Sequence, residues 1–184
     1  MKFASNSLLI TVLFSRTCCV VCGLLLCSNI SSETVQEYQV KAAYLVNFPK
    51  IVRWPETAFQ NLNSPFNFCL LGGEKISETV KDTIHNDTVN GRKVVVHTGS
   101  SVLAKCHIIF IGSDRKDLAT LVFSAVEGRD VLPVGDFSEF SDSGGMITFF
   151  TKKSRVNIAI DLAAVIDTNL KLSAKLIKIA KINF

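Results

Sequence analysis

Hydrophobic and polar positions change their spacing several times along the chain, and each change predicts an element. Residues 33–48 begin polar and then place Val40, Ala43, Tyr44 and the run 46–48 on one buried helix face. Pro49 interrupts that helix, and Arg53-Trp54-Pro55 ends the segment, because a residue before proline is pushed out of the α region. Polar linker follows, then an apolar run at 66–71 that ends in Gly72-Gly73 and reads as a strand. Ile76, Val80 and Ile84, four residues apart, predict a helix over 76–84. Asn90-Gly91 is a turn ahead of a second strand at 93–97, and the continuous apolar run 106–111 is a third strand, of the kind buried on both faces. A helix over 117–126, a fourth strand over 131–134 and a loop over 135–145 come next. Residues 146–151 and 155–160 flank Lys152-Lys153-Ser154 as a hairpin, and the chain closes with an apolar stretch at 162–166 and an amphipathic helix over 173–182. Strands separated by helices argue an α/β fold with a mainly parallel sheet, to which the C-terminal β-hairpin adds an antiparallel edge.

Ahead of these elements the chain reads as an export signal. Lys2 and Arg16 are the only charges before Glu33, apolar runs at 8–14 and 18–27 flank Arg16, and small polar residues follow. This predicts a signal peptide over 1–32 and a single domain over 33–184. A permanent anchor is the alternative, but Arg16 near the middle of 8–27 would cost roughly 2.5–3.5 kcal/mol on insertion. Four of the six cysteines (Cys18, Cys19, Cys22 and Cys27) lie in this leader, leaving Cys69 and Cys106. An oxidising compartment favours a Cys69–Cys106 disulfide; two buried free thiols would be the state in a reducing one.

Charge follows the same division. The whole chain is +4, yet residues 33–169 hold 14 basic and 16 acidic groups, and the excess sits in Lys171, Lys175, Lys178 and Lys181 at the end. Positive charge is thus a terminal feature and not a groove-wide one, which excludes a uniformly basic nucleic-acid binder.

A search for catalytic chemistry finds none. His85, His97 and His107 form no metal-ligand spacing, and no nucleophile elbow, P-loop or dinucleotide fingerprint follows a strand. Gly72-Gly73 stands where backbone amides could hold an anion, or where a tight turn is needed. Asp136, Glu139 and Asp142 share one loop, as an acid–base or cation site or as a solvated surface. The expectation is a binding protein, not an enzyme, with no metal and no cofactor. Two features suit a contact surface. Tyr44, Phe48 and Trp54 interleave with Lys50 and Arg53, a mixture that dominates interfaces and equally serves as core. Lys171, Lys175 and Lys178 run beside a stripe of Leu172, Leu176 and Ile179, either as a solvated helix face or as a contact for an acidic partner or anionic lipid heads.

The order of segments resembles a known family. It is carried by 40–48 (VKAAYLVNF) with Arg53-Trp54-Pro55, by 68–72 (FCLLG), 91–94 (GRKV) and 104–111 (AKCHIIFI), and by 131–136 (VLPVGD). It continues through Phe140 with 144–147 (GGMI), 155–162 (RVNIAIDL) and 170–180 (LKLSAKLIKIA). Together these pieces span roughly residues 38–182 and resemble the YfiR-like periplasmic proteins. The resemblance implies a Rossmann-like three-layer sandwich acting in a Gram-negative periplasm. It implies binding to the periplasmic sensor region of an inner-membrane diguanylate cyclase, which holds that enzyme inactive, lowers cyclic di-GMP and restrains biofilm formation. Cys69 and Cys106 fall at the family's positions for one disulfide; residues 131–160 lack the second pair that some members carry. Such domains also accompany histidine kinases and other membrane sensors. The alternative function is therefore a small-ligand sensing module, with its ligand in the crevice at the strand C-termini. A homodimer stays open. The expected contact residues are Tyr44, Phe48, Arg53, Trp54, Lys171, Lys175 and Lys178.

Overall fold

A computed structural model of the chain describes residues 31–84 and 87–183. The expected export signal, all but its last two residues, and His85 lie outside the described residues. The elements in chain order are α1 (Ser31–Ile51), β1 (Val52–Arg53), β2 (Phe66–Leu71), α2 (Glu74–Thr83), β3 (Thr88–Val89), β4 (Arg92–Thr98), β5 (Ile108–Ile111) and α3 (Ala119–Val126). They continue with β6 (Leu132–Gly135), β7 (Ile147–Lys152), β8 (Arg155–Asp161), α4 (Leu162–Ile166), β9 (Lys171–Leu172), α5 (Ala174–Ile179) and β10 (Lys181–Asn183).

The continuously apolar runs sit where two faces must be filled. β5 and β6 are buried at every residue, and with β2 they form the middle of an eight-stranded sheet ordered β10-β8-β7-β6-β5-β2-β4-β3. Strands β4, β2, β5, β6 and β7 run parallel to their neighbours in that order. On one face Phe66, Phe68, Phe110, Val134 and Phe149 pack against Leu45 and Phe48 of α1, Ile76 and Val80 of α2, and Leu176 of α5. On the other, Cys69, Leu71, Ile109 and Ile111 pack against Leu103, Val122, Val126 and Phe140. Helices on both faces of a mainly parallel sheet give the Rossmann-like sandwich.

Three boundaries differ from the sequence expectation. Pro49 does not interrupt α1, which runs on to Ile51. A proline in the last turn removes one N–H bond, and buried Leu45, Phe48 and Val52 hold that turn in place. The C-terminal helix covers only Ala174–Ile179, after which the chain straightens into β10. Strand β10 lies parallel to β8, so the β7–β8 hairpin forms as expected but its outer strand is covered. The free edge of β8 supplies backbone partners that a continued helix would leave unused. Finally, Asn90 (φ 50°) and Gly91 (φ 79°) join β3 to β4 as an antiparallel pair, so the turn belongs to a hairpin whose first strand is two residues long.

Candidate functional site

Strand order reverses between β2 and β5, since the chain passes from β2 to β4 on one side and returns to β5 on the other. The crevice at the carboxyl ends of two such strands is the usual ligand site of an α/β sheet. Here the protein's own groups take up part of it. Gly73, at φ 59° ahead of α2, donates its N–H to Asp114 Oδ1 at 2.7 Å. Gly112 approaches so closely that a Cβ there would collide with the Gly73 nitrogen, and Phe110 covers Gly73 from below. The Asp114 carboxylate therefore stands where a bound anion would. Beside it an open pocket of about 270 Å³ remains, lined by Gly72, Ser77, Lys81, Thr98, Asp114 and Arg115.

Beyond it, Asp136 is a structural group. Its Oδ1 accepts the Ser113 N–H at 2.6 Å and its Oδ2 lies 3.3 Å from Lys41 Nζ, whose other partner is Glu37 at 2.8 Å. The hydrogen bond from Lys41 is the main cause holding the Glu37 carboxyl below its ordinary pKa. Glu139 and Asp142 are exposed and do not join this pair. The described residues contain no cluster of His, Cys, Asp and Glu able to hold a metal.

At the opposite end of the sheet, Cys69 and Cys106 form a disulfide with Cα atoms 5.9 Å apart, tying the middle of β2 to the residue ahead of His107. Asn67, two residues before Cys69, organises the surroundings. Its backbone N–H donates to His107 Nδ1 at 2.9 Å, and its side-chain amide donates to the Lys105 carbonyl at 2.9 Å. Its Oδ1 thus faces His97 Nε2, 2.9 Å away, as the acceptor. His107 carries its proton on Nε2, directed at the Ala58 carbonyl 3.2 Å away. Burial, joined by the positive charges of Arg129 and Arg92, lowers its pKa from 6.5 to about 4.

The ring of His107 lies between Phe59 (4.5 Å) and Phe66 (5.0 Å). Arg92 covers the Phe59 ring at 3.8 Å and pins the preceding loop through Glu56 and the carbonyls of Asn61, Leu62 and Ser64. Between this loop and the strands lies a cavity of about 530 Å³ that takes in His97, Lys105, His107 and Arg129. Sequence reasoning missed Asn67, Arg92 and Arg129. Each acts through partners 25 to 40 residues away, and no local spacing announces them.

The contact residues expected from sequence meet at a different place. β1 and β9 form a two-stranded antiparallel ribbon in which Arg53 stands directly opposite Lys171 and Val52 opposite Leu172. The Ser173 N–H continues the pairing onto the Ile51 carbonyl at 3.0 Å. Arg53 and Lys171 are both exposed, and neither has an ion-pair partner among the described residues. Like charges directly opposite on a ribbon repel. Lys175 and Lys178 are exposed on α5. Trp54 is half-buried, edge-on to Phe66 at 4.9 Å, and its buried indole N–H has no hydrogen-bond partner among the described residues. Tyr44 is half-buried against Phe48 and Phe149. Phe48 itself has no exposed surface, so it is a core residue and not a contact residue. The apolar stripe predicted beside the lysines also divides: Leu172 is in β9, Leu176 is buried, and Ile179 is 51% exposed.

These features define a Rossmann-like α/β domain that holds its own carboxylate at the strand-reversal crevice and pairs two cations across the β1–β9 ribbon. The chain belongs to the YfiR/HmsC-like family, which matches residues 38–181. That family consists of regulatory, non-catalytic periplasmic domains known for control of diguanylate cyclases. Comparison with curated proteins gave no match. Among the described residues no helix is long and apolar enough to cross a membrane.

Proposed function

We propose that the protein, freed of residues 1–32 on export, is a periplasmic inhibitor. It binds the periplasmic region of an inner-membrane diguanylate cyclase and holds that enzyme inactive, lowering cyclic di-GMP. Family membership supports the regulatory role, and the placement of Arg53 opposite Lys171 supports the β1–β9 ribbon as the contact. A carboxylate bridging the two cations gains charge-assisted hydrogen bonds and removes their mutual repulsion in one step. Trp54, the neighbour of Arg53 in sequence, adds an aromatic group of the kind that is enriched with arginine at interface hot spots, while Lys175 and Lys178 extend the cationic surface. The fitting partner is an acidic segment of the sensor region.

Calorimetric titration of the purified protein with the periplasmic region of the cyclase encoded beside its gene tests this reading. Arg53→Glu with Lys171→Glu should weaken binding at least about tenfold and raise cellular cyclic di-GMP, with the circular dichroism spectrum unchanged. If the wild-type protein does not bind that region, the inhibitor reading is wrong. If the double variant binds equally well, the ribbon is the wrong surface.

A further inference from the structure

The inhibitor reading leaves the cavity beneath the loop ahead of β2 without a role, yet its lining is chemically one-sided. Lys105, Arg129 and His97 face into it together with Thr57, Gln60 and Ser64, and no carboxylate lines it among the described residues. Arg129 is half-buried, and among the described residues its guanidinium bonds only to the carbonyls of Leu103, Ala104 and Ala125. Those bonds satisfy donors but cancel no charge, and no described carboxylate lies within ion-pair distance of Arg129. A partly buried cation without a counter-charge is costly, and an anion brought to it is held more strongly than at an open surface.

The site is also formed in advance. Asn67 orients His97 and fixes the Lys105 backbone, Arg92 pins the covering loop, and the Cys69–Cys106 disulfide anchors the strand ends beneath. A pre-organised site loses little ordering entropy when it is filled. Its volume of about 530 Å³ is that of a small-molecule site.

We propose that this cavity binds a small organic anion. Lys105 and Arg129 hold its carboxylate or phosphate group, and Phe59, Pro65 and Val95 take its apolar body. The site lies at the amino ends of the strands, opposite the crevice that holds Asp114, and it does not depend on the β1–β9 ribbon.

Calorimetric titration of the purified protein with benzoate, with inorganic phosphate and with uncharged benzamide tests the proposal. The emission of Trp54, the only tryptophan, gives a second readout, because its ring packs edge-on to Phe66, which stacks through His107 on Phe59. At least one anion should bind saturably with Kd below about 10 mM, and benzamide should not. Saturation by benzoate alone assigns a carboxylate ligand, and by phosphate alone a phosphate-bearing one. Lys105→Glu and Arg129→Gln should each weaken binding about tenfold or more, whereas Lys116→Glu, on the carboxyl-end surface, should leave it unchanged. Lys105 is exposed and its ammonium makes no ion pair among the described residues, so its variant carries the test even if Arg129→Gln fails to fold. The proposal is overturned if neither anion binds, if benzamide binds as tightly as benzoate, or if Lys105→Glu binds like wild type. None of these results bears on partner binding at the ribbon.

Discussion

Protonation of His107 should cost the fold about 3 kcal/mol, and the structure says why. The imidazole is 5% exposed and lies between two phenylalanine rings. Nδ1 accepts the Asn67 N–H, and Nε2 donates to the Ala58 carbonyl. A second proton on Nδ1 would face the Asn67 N–H donor to donor and leave that buried amide without a partner. Burial is the main reason the folded pKa is near 4, and the positive charges of Arg129 and Arg92 add to it. In the unfolded chain the same group titrates near 6.5. Between the two values the unfolded state binds more protons, so stability rises with pH through this window. The contribution is intact above about pH 6.5 and is lost progressively as pH falls towards about 4. At about 1.4 kcal/mol per pH unit, the interval from 6.5 to about 4 gives about 3–4 kcal/mol, of which about 3 is lost by pH 4, where the folded group is half protonated.

Urea unfolding of the wild type and of His107→Gln over about pH 8 to 4 isolates this effect, because other titrating groups are shared and cancel in the difference. The variant should be less stable near neutrality, and the gap should shrink by about 3 kcal/mol towards pH 4. Parallel curves across the whole range would refute the argument. They would mean that His107 titrates alike in both states and is not locked neutral.

Other consequences can be measured on the same purified protein. Reduction of Cys69–Cys106, which closes 37 residues, should lower unfolding free energy by about 4 kcal/mol on the chain-entropy account; an unchanged urea midpoint under dithiothreitol would contradict it. Lys41→Met leaves the Asp136 carboxylate, 8% exposed, without its cation, and should cost about 3 kcal/mol or more in urea unfolding. Lys171→Glu converts the repulsion with Arg53 into attraction, so it should raise stability by up to about 1 kcal/mol while weakening partner binding. Opposite signs in those two measurements distinguish a contact residue from a structural one.

Most strands were legible because their faces announce themselves. Phe66–Leu71 and Ile108–Ile111 are apolar at nearly every position, and only the middle of a sheet buries both faces. The disulfide was legible from compartment and cysteine count. What the sequence hid were long-range effects. The residues 181–183 carry a helix-compatible pattern, and the open edge of β8 decides against the helix. Phe48 and Trp54 read alike as aromatics near basic residues, but α1 turns the first into the core and β1 leaves the second half-exposed. The glycines of Gly72-Gly73 were visible as a turn or an anion cradle, and the anion proved to be Asp114, 41 residues away. Arg53 and Lys171 looked like parts of two separate surfaces until β1 and β9 paired them.

The Asp114 carboxylate at the Gly73 N–H bears on where function can lie. In an open α/β sheet the carboxyl-end crevice is available because the loops there part at the strand reversal. Here Gly112 against Gly73, the Asp114 carboxylate on the Gly73 N–H, and Asp136 on the Ser113 N–H hold those loops together. The same bonds make that end rigid and leave it no uncompensated donor at Gly73 or Ser113. At the amino end the balance is reversed. Arg129 bonds to carbonyls alone, Arg53 and Lys171 face each other, and the Trp54 indole N–H has no partner among the described residues. Unmatched cations and donors cost stability until something binds them. Exposed Lys81, Lys116 and Lys152 at the carboxyl end also lack ion pairs among the described residues, so what sets the amino end apart is the half-buried Arg129 and the buried Trp54 N–H. The chain of ring contacts from Trp54 through Phe66 and His107 to Phe59 joins the two parts of that end, the ribbon and the cavity, by direct packing.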